Sequence, residues 1–256
     1  MFQEEFQEVC AVGIKKQMLL NNNWIGYFIS SMIAGGFIAF GGFVAFTAGS
    51  IVSTGEVASL TKIIQAILFA SALSLVVMAG SELFTGNSFV MASAALAKKV
   101  KWIAAIRLWV VCWLGNLCGS ILFSVLFQLT GIPKGSVGTY FASIAEMKMS
   151  IPPVELLTRA ILCNILVCLA VWCSIKMGSE SGKLIMVFWC IIIFMICGFE
   201  HSIANMSILL VGLMNASQEV VSIGGYLYSI SMVTIGNMIG SIVFVAIPYY
   251  IITKEK

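Results

Sequence analysis

The sequence predicts an all-α membrane protein: six transmembrane helices form two inverted three-helix repeats, and the second and fifth helices are broken. Three observations predict this fold class. The 256 residues are 60% hydrophobic and 10% charged, with a mean hydropathy of +1.04, far outside the range of soluble domains. Six apolar stretches are long enough to cross a bilayer. Two of them carry similar polar interruptions 118 residues apart, which is typical of a transport site at the bilayer midplane.

The elements follow in order along the chain. Residues 1–20 predict an amphipathic cytoplasmic helix, because apolar residues recur at helical spacing opposite Glu4, Glu5 and Glu8. This helix anchors the chain in the membrane interface or covers the mouth of a pore. Residues 21–256 form one six-span channel domain. Its predicted spans are Trp24–Ala48, Ile63–Gly80 with a tail to Ala97, Trp102–Leu129, Val154–Met177, Leu184–Gly198 with a tail to Asn215, and Tyr226–Ile252.

Lysine and arginine predict the orientation. With the N-terminus inside, ten of these cations fall in inner segments and four in outer segments, so both termini are expected in the cytoplasm. We expect a multi-pass protein of the plasma membrane of a prokaryote, in contact with lipid. Residues Met1–Leu20 lack the long apolar run of a cleavable signal peptide. The net charge of +3 reflects topology and predicts no nucleic-acid partner.

Redox and metal chemistry have little support in the sequence. Seven of the eight cysteines fall inside spans, where Cys behaves as a small hydrophobe, and no CxxC pair occurs. A single His excludes bis-histidine haem ligation within one subunit. We therefore expect no metal and no cofactor, and no enzyme activity.

A second correspondence supports the internal repeat. Gly115–Ser120 in the third span matches Gly236–Ser241 in the sixth, 121 residues later, with the shared pattern GNxxGS. Because three spans make one repeat, the second copy must enter the membrane in the opposite direction. The two patches are interpreted as close helix packing.

The two interruptions are Ser81–Asn87 and Gly198–Asn205. Non-helical backbone survives at membrane depth only when it is buried in protein or lines a cavity. Gly86 is expected to adopt unusual backbone angles. The half-helices that follow are expected to be capped by polar side chains, namely Asn87, Ser88, Asn205 and Ser207. Two half-helix N-termini aimed at the midplane favour an anion.

His201 is the candidate residue for transport chemistry, because it lies in a broken segment and titrates near neutral pH. Glu82 and Glu200 are expected to face away from an anion path and to brace the breaks by accepting backbone N–H groups. Were the substrate a cation, they would be its ligands. Asn87 and Asn205 belong to the same bracing sets.

Three further residues are candidates for the path. Thr85 offers a hydroxyl in the first break. Asn164 lies in the middle of the fourth span, where it either lines the pore or joins helices. Lys148 is placed in an outer loop before Ile151-Pro152-Pro153, and on its own it is interpreted as a solvated cation.

The segments Glu82–Asn87 (ELFTGN) and Gly198–Met206 (GFEHSIANM), with the GNxxGS pair and six spans, resemble the formate/nitrite transporter family. The resemblance implies a homo-oligomer, a pentamer with one pore in each aquaporin-like protomer, that passes small monovalent anions. It implies His201 as the central pore residue, Glu200 as its brace, and Thr85, Asn164 and Lys148 as pore residues.

The resemblance also implies two apolar constrictions around a central chamber. Leu83, Phe84 and Phe194 match well, whereas no motif fixes the register of Phe69, Leu73 and Val167. As a whole, the chain is most similar to the hydrosulfide channel branch of the family.

These observations lead to a hypothesis of a passive channel for hydrosulfide, formate or nitrite, in which His201 donates a hydrogen bond or a proton to the anion. Formate/nitrite–proton symport is the alternative. A neutral-solute pore of the aquaporin type is disfavoured, because neither break contains Asn-Pro-Ala.

Overall fold

The computed structural model describes residues 2–216 and 221–254, and its regular secondary structure within those ranges is helical. Eleven α-helices occur in these ranges, with a 3₁₀ turn at Ala58–Leu60 and a π-helical segment at Ile242–Ala246. The helices are α1 Gln3–Asn22, α2 Trp24–Val52, α3 Thr61–Ala79, α4 Phe84–Leu96, α5 Trp102–Leu129, α6 Ser136–Met149, α7 Pro153–Lys176, α8 Glu180–Cys197, α9 Ser202–Asn215, α10 Ile223–Ser241 and α11 Ile247–Thr253.

Six helical stretches within these ranges are long and apolar enough to cross a membrane. They are α2, α3 with its preceding turn, α5, α7, α8, and the continuous rod from α10 to α11. The predicted all-helical fold with broken second and fifth spans is confirmed. In each broken span, a first helix (α3 or α8) ends at the break and is followed by a shorter helix, α4 or α9.

One helix was not predicted. The segment that holds Lys148, expected to be a loop, is the 14-residue helix α6. It is too short to cross a bilayer, which needs about 20 residues, so a search for apolar spans passes over it. It packs on α9 through the buried residues Phe141 and Ala145.

The breaks begin at glycines whose backbone dihedral φ is positive. Gly80 (φ 73°) ends α3 and Gly198 (φ 72°) ends α8, again 118 residues apart. Only glycine adopts this conformation without steric cost. The prediction for Gly86 is wrong: it lies inside α4, and a Cβ there would be 3.1 Å from Val171.

The repeat is also visible in the packing of the unbroken spans. α2 crosses α5 at Gly115 and Gly119, and α7 crosses α10 at Gly236 and Gly240. A Cβ at Gly115 would lie 2.5 Å from the Ser31 side chain, and one at Gly236 would lie 2.5 Å from the Ala160 side chain. The GNxxGS glycines therefore permit close approach of helix backbones, as predicted.

Each repeat includes one element more than the three predicted spans. α1 precedes the first span and packs on α4, and α6 precedes the fourth span and packs on α9. α1 runs from Gln3 to Asn22, close to the predicted residues 1–20, and its apolar face is buried through Phe6, Val9 and Cys10. α1 and α6 therefore hold equivalent places beside the two half-helices.

Candidate functional site

Two open cavities enter the protein and end at opposite sides of a small chamber between the two breaks. The Lys148 vestibule, about 370 Å³, is bordered by α6 and the second break. The Lys16 vestibule, about 590 Å³, is bordered by α1 and the first break. The central chamber is only about 10 Å³. It shares Phe194 and His201 with the Lys148 vestibule, and Leu73 and Leu83 with the Lys16 vestibule.

The wall of the central chamber is apolar except for one imidazole. Its lining residues are Ile38, Phe69, Leu73, Leu83, Val167, Ile191, Phe194 and His201. The structure thus brings together five of the six residues expected at the constrictions, and adds Ile38 and Ile191. Phe84 lies elsewhere: its side chain lines a separate groove with Trp109 and Trp113.

His201 occupies the N-cap of α9 and is 4% exposed. Its Nδ1 accepts the backbone N–H of Ala204 at 3.1 Å, and its Nε2 lies 3.0 Å from Thr85 Oγ1. Because Nδ1 accepts a hydrogen bond, this geometry assigns the proton of the neutral ring to Nε2, which donates to Thr85. The ring of Phe194 lies nearly parallel to the imidazole, at an interplanar angle of 15° and a centroid distance of 6.1 Å.

Leu83 takes the place of His201 in the first repeat. Glu82-Leu83 and Glu200-His201 are equivalent dipeptides, 118 residues apart, and both second members line the central chamber. The chamber is therefore built symmetrically but carries its polar group on one side only.

The bracing carboxylates form matched buried clusters. Lys148 Nζ lies 2.7 Å from both oxygens of Glu200, and Asn205 Nδ2 donates to Glu200 Oε2 at 2.8 Å.

In the first repeat Lys16 Nζ lies 2.7 and 2.8 Å from the Glu82 oxygens, and Asn87 Nδ2 donates to Glu82 Oε2 at 2.7 Å. The expectation that these carboxylates accept backbone N–H groups is wrong. They accept from an ammonium and an amide, both supplied by side chains.

Asn87 and Asn205 therefore do not cap the half-helices, because their amides are committed to the carboxylates. The caps predicted at Ser88 and Ser207 are also wrong, since each hydroxyl donates back to a carbonyl three residues earlier. α9 is capped by His201 itself.

Two asparagines of the GNxxGS patches hold the backbone of the breaks. Asn116 accepts from the N–H of Phe84 at 2.9 Å and donates to the carbonyls of Ser31 and Glu82 at 2.7 and 2.9 Å. Asn237 repeats this arrangement in the second repeat. It accepts from the N–H of Ser202 at 2.9 Å and donates to the carbonyls of Ala160 and Glu200 at 2.8 and 3.0 Å. Sequence reasoning missed this role, although the repeated Asn within each patch was the signal for it.

Asn164, in the middle of α7, links the first break to α10. Its Nδ2 donates to the backbone carbonyls of Asn237 at 2.7 Å and Thr85 at 3.3 Å, and contacts Ser88 Oγ at 3.3 Å. It is fully buried and lies outside the lining of the chamber and both vestibules. These contacts favour the helix-joining interpretation over the pore-lining one.

Charge in the two vestibules is unequal. In the part of the chain that the structure describes, the Lys148 vestibule is lined by Lys62, Lys148 and Arg159 against one carboxylate, that of Glu200. The Lys16 vestibule is lined by two lysines, Lys16 and Lys183, and by two carboxylates, Glu82 and Glu180.

Tyr140 on α6 adds a neutral hydrogen-bond donor to the Lys148 vestibule. Gln65 donates to its hydroxyl oxygen at 3.1 Å, and burial raises the pKa of that hydroxyl.

Comparison with known proteins matches this architecture to one family. The model of the family described as Formate/nitrite transporter matches residues 3–251. The chain belongs to the formate/nitrite transporter family. It is 31% identical over 260 residues to the nitrite transporter NirC of Salmonella typhimurium, an alignment that covers 100% of this chain and 94% of NirC.

Solved structures of the formate/nitrite transporter family show the same fold. An FNT family ion channel superposes with a TM-score of 0.92 at 29% identity, covering 99% of this chain and all of that one. A pentameric formate channel with formate bound superposes with a TM-score of 0.76 at 27% identity, covering 89% of this chain and 96% of that one. The family assignment made from the two interruption motifs is confirmed, and the protein is a multi-pass membrane protein of this family.

Proposed function

We propose that this chain is a passive channel for small monovalent anions, with hydrosulfide as its preferred substrate and formate and nitrite as further ones. The observation that carries the proposal is the single imidazole in an otherwise apolar chamber between two vestibules. A relative is named a nitrite transporter, and a structural neighbour is a formate channel with formate bound. Both names support a small anion as the substrate class.

The Lys148 vestibule collects anions. Three cations against one carboxylate give it an excess positive charge, which raises the local concentration of anions. Lys148 is paired with Glu200, whereas Lys62 forms no ion pair with any described residue, so Lys62 supplies more of this field. In the orientation that we propose, with both termini cytoplasmic, this vestibule opens to the outside.

The chamber sets the barrier. A bare charge among Phe69, Leu73 and Leu83 loses its hydration, and an unpaired ion in an apolar site is costly. His201 Nε2–H is the donor closest to the chamber, and it can turn from Thr85 to the anion. The hydroxyl of Thr85 then supplies a second donor at the same point.

The ring geometry favours hydrogen bonding over proton donation. An imidazolium needs a proton on Nδ1, and that atom accepts the Ala204 N–H that caps α9. Protonating His201 therefore breaks the cap. Hydrosulfide suits a donor of this kind, because its conjugate acid is neutral and weaker than formic acid, so a shared proton neutralises it more readily.

Assembly and accessory elements follow from the same proposal. We propose a homopentamer with one path in each protomer, as in the structural neighbour described as pentameric. Residues 1–20 act as a cytoplasmic element that supplies Lys16 to the first break, beside the six-span channel domain of residues 21–256.

Reconstitution into proteoliposomes tests this function. Hydrosulfide, formate, nitrite and chloride fluxes are compared at two pH values for the parent chain, His201→Phe, Thr85→Val and Thr85→Ser. We expect His201→Phe to lose anion flux, Thr85→Val to reduce it, and Thr85→Ser, the matched control that keeps the hydroxyl, to retain it.

Unchanged anion flux and pH dependence in His201→Phe would sink the proposal. A proton-sensitive dye in the vesicle lumen separates channel from symport: one proton moved per anion at zero membrane potential assigns symport. Osmotic swelling without anions, at a rate matching the anion flux, assigns a neutral-solute pore.

A further inference from the structure

We infer that the protein binds one anionic phospholipid along α5: a basic cleft at the membrane surface holds the headgroup, and an apolar groove below it holds an acyl chain. The cleft, about 1000 Å³, is lined by Gln17, Ala95, Leu96, Lys98, Lys99, Val100, Lys101, Trp102 and Tyr250. Among residues 2–216 and 221–254, its lining contains three lysines and no carboxylate. The site lies apart from the candidate path and does not depend on the proposed function.

The lysines of the cleft are free to bind an anion. Within residues 2–216 and 221–254, none of Lys98, Lys99 and Lys101 pairs with a carboxylate, whereas Lys16, Lys148 and Lys176 all do. The three lysines are exposed. Lys254 adds a further cation at the rim, with its Nζ 5.9 Å from the ring centroid of Tyr250.

Lys98 stands at a backbone position that prefers glycine. It follows the end of α4 with a φ of 58°, its N–H bonds to the carbonyl of Ala95, and the N–H of Lys99 bonds to that of Ala94. This is the Schellman arrangement, in which the left-handed residue is usually Gly. A lysine there strains the backbone, and strain of this kind accumulates at binding sites. In the site that we infer, contact between the Lys98 side chain and the anionic headgroup offsets the cost of this strain.

The cleft lies at the boundary of the membrane. Lys101 is the N-cap of α5, and Trp102 begins the span. Tyr250 lies in the last turns of the rod that ends at Thr253, so two spans end at this level. Tryptophan and tyrosine beside lysines are typical of the level of phospholipid headgroups.

An apolar groove continues from the cleft along the same face of α5. It has a volume of about 580 Å³ and is lined by Phe84, Ile106, Trp109, Val110, Trp113, Leu114, Thr234 and Met238. Trp102 and Trp109 join the two cavities through an edge contact with ring centroids 6.4 Å apart.

From Trp102 to Trp113 the helix rises about 16 Å, at about 1.5 Å per residue. That length matches one leaflet of a hydrocarbon core about 30 Å thick. Free phosphate would use only the cleft, and a neutral lipid only the groove. A phospholipid with a net negative charge fits both.

Native mass spectrometry of the full-length protein in detergent tests the inference with three probes: phosphatidylglycerol, phosphatidylcholine with the same acyl chains, and inorganic phosphate. We expect one phosphatidylglycerol to bind at least about tenfold more tightly than phosphatidylcholine, and phosphate neither to bind nor to displace it. Equal affinity for the two lipids, or displacement by phosphate, overturns the inference.

Variants separate the two parts of the site. Each lysine near an anionic headgroup contributes about fivefold in affinity, so Lys98→Gln with Lys101→Gln should weaken phosphatidylglycerol binding about 25-fold. The control, Lys15→Gln with Lys134→Gln, removes two exposed lysines outside the cleft and should leave affinity unchanged. Equal weakening by both pairs means that only overall charge acts, and overturns the site.

Two single variants distinguish the remaining explanations. Lys98→Gly relieves backbone strain, so it should raise the melting temperature in lipid-free detergent while lowering phosphatidylglycerol affinity about fivefold. Unchanged affinity in this variant excludes a ligand role for Lys98. Val110→Trp fills the groove and should weaken lipid binding with all lysines present. If Val110→Trp changes the number of subunits in the complex but leaves lipid affinity unchanged, the groove is a contact between copies of the chain. The inference then fails.

Discussion

The buried pair between Lys148 and Glu200 gives the most quantitative prediction, through the substitution Lys148→Met. The Glu200 side chain is 4% exposed, and both of its oxygens lie 2.7 Å from the ammonium. Methionine keeps most of the side-chain volume but leaves this carboxylate without its cation. Removing one partner of a buried ion pair typically destabilises a protein by about 3–5 kcal/mol.

The expected change can be read as a melting temperature. For a domain of this size, 1 kcal/mol corresponds to about 2–4 °C, so Lys148→Met should lower the melting temperature by about 6–20 °C. The assay is tryptophan fluorescence during heating of the purified protein in detergent. The double variant Lys148→Met/Glu200→Gln removes both charges and should recover most of the loss, because a neutral pair carries no uncompensated charge.

Arg159 and Glu155 supply the internal control. Their side chains are 42% and 57% exposed and 3.3 Å apart, and an exposed pair contributes about 0–1 kcal/mol. Arg159→Gln should therefore shift the melting temperature by less than about 4 °C. The reasoning is refuted if Lys148→Met costs no more than Arg159→Gln, or if the double variant is as unstable as the single one.

Three further predictions follow from the breaks and the chamber. Asn237→Ala removes the side-chain partner of the buried Ser202 N–H and Glu200 carbonyl and should cost about 2–6 kcal/mol, with a loss in the same direction for Asn116→Ala in the other repeat; equal stability to the parent in heating experiments would contradict the bracing role. Gly80→Ala places a side chain at positive φ in open space and should destabilise the protein by about 1–2 kcal/mol through backbone strain alone. Gly178→Ala, also in open space, should leave stability unchanged. Equal melting temperatures for the two variants would contradict this prediction. Leu73→Ala widens the chamber and should increase anion flux in proteoliposomes; a lower or unchanged flux would mean that the chamber is not the barrier.

The fold and the location of the site could be predicted because their causes are local in sequence. A bilayer span requires a long apolar run, and a break requires polar residues at membrane depth. Both features can therefore be recognised in the sequence. The five-residue spacing from Glu to Asn occurs in both breaks, and this repetition shows which positions of the two breaks are equivalent. The same reasoning failed for Gly86, because the glycines that make the turns, Gly80 and Gly198, lie before the polar residues.

The partners of the carboxylates could not be predicted, since each lies on a separate amphipathic helix far away in sequence. Lys16 and Glu82 are 66 residues apart, and Lys148 and Glu200 are 52 apart. No periodicity relates such positions, and only the packing of α1 and α6 on the half-helices brings them together. The sequence alone therefore predicts a loop at Lys148 and gives no indication that Lys16 contacts Glu82.

The unequal pair of Leu83 and His201 limits what this protein can do. An ion arriving from one compartment meets the imidazole before the leucine, and one arriving from the other compartment meets them in reverse order. The order in which the ion meets the two side chains can alter the current at a given voltage. It cannot change the reversal potential, the voltage at which net current is zero. For the passive channel that we propose, microscopic reversibility means that this asymmetry cannot drive net transport. Accumulation against a gradient would require a second, coupled ion.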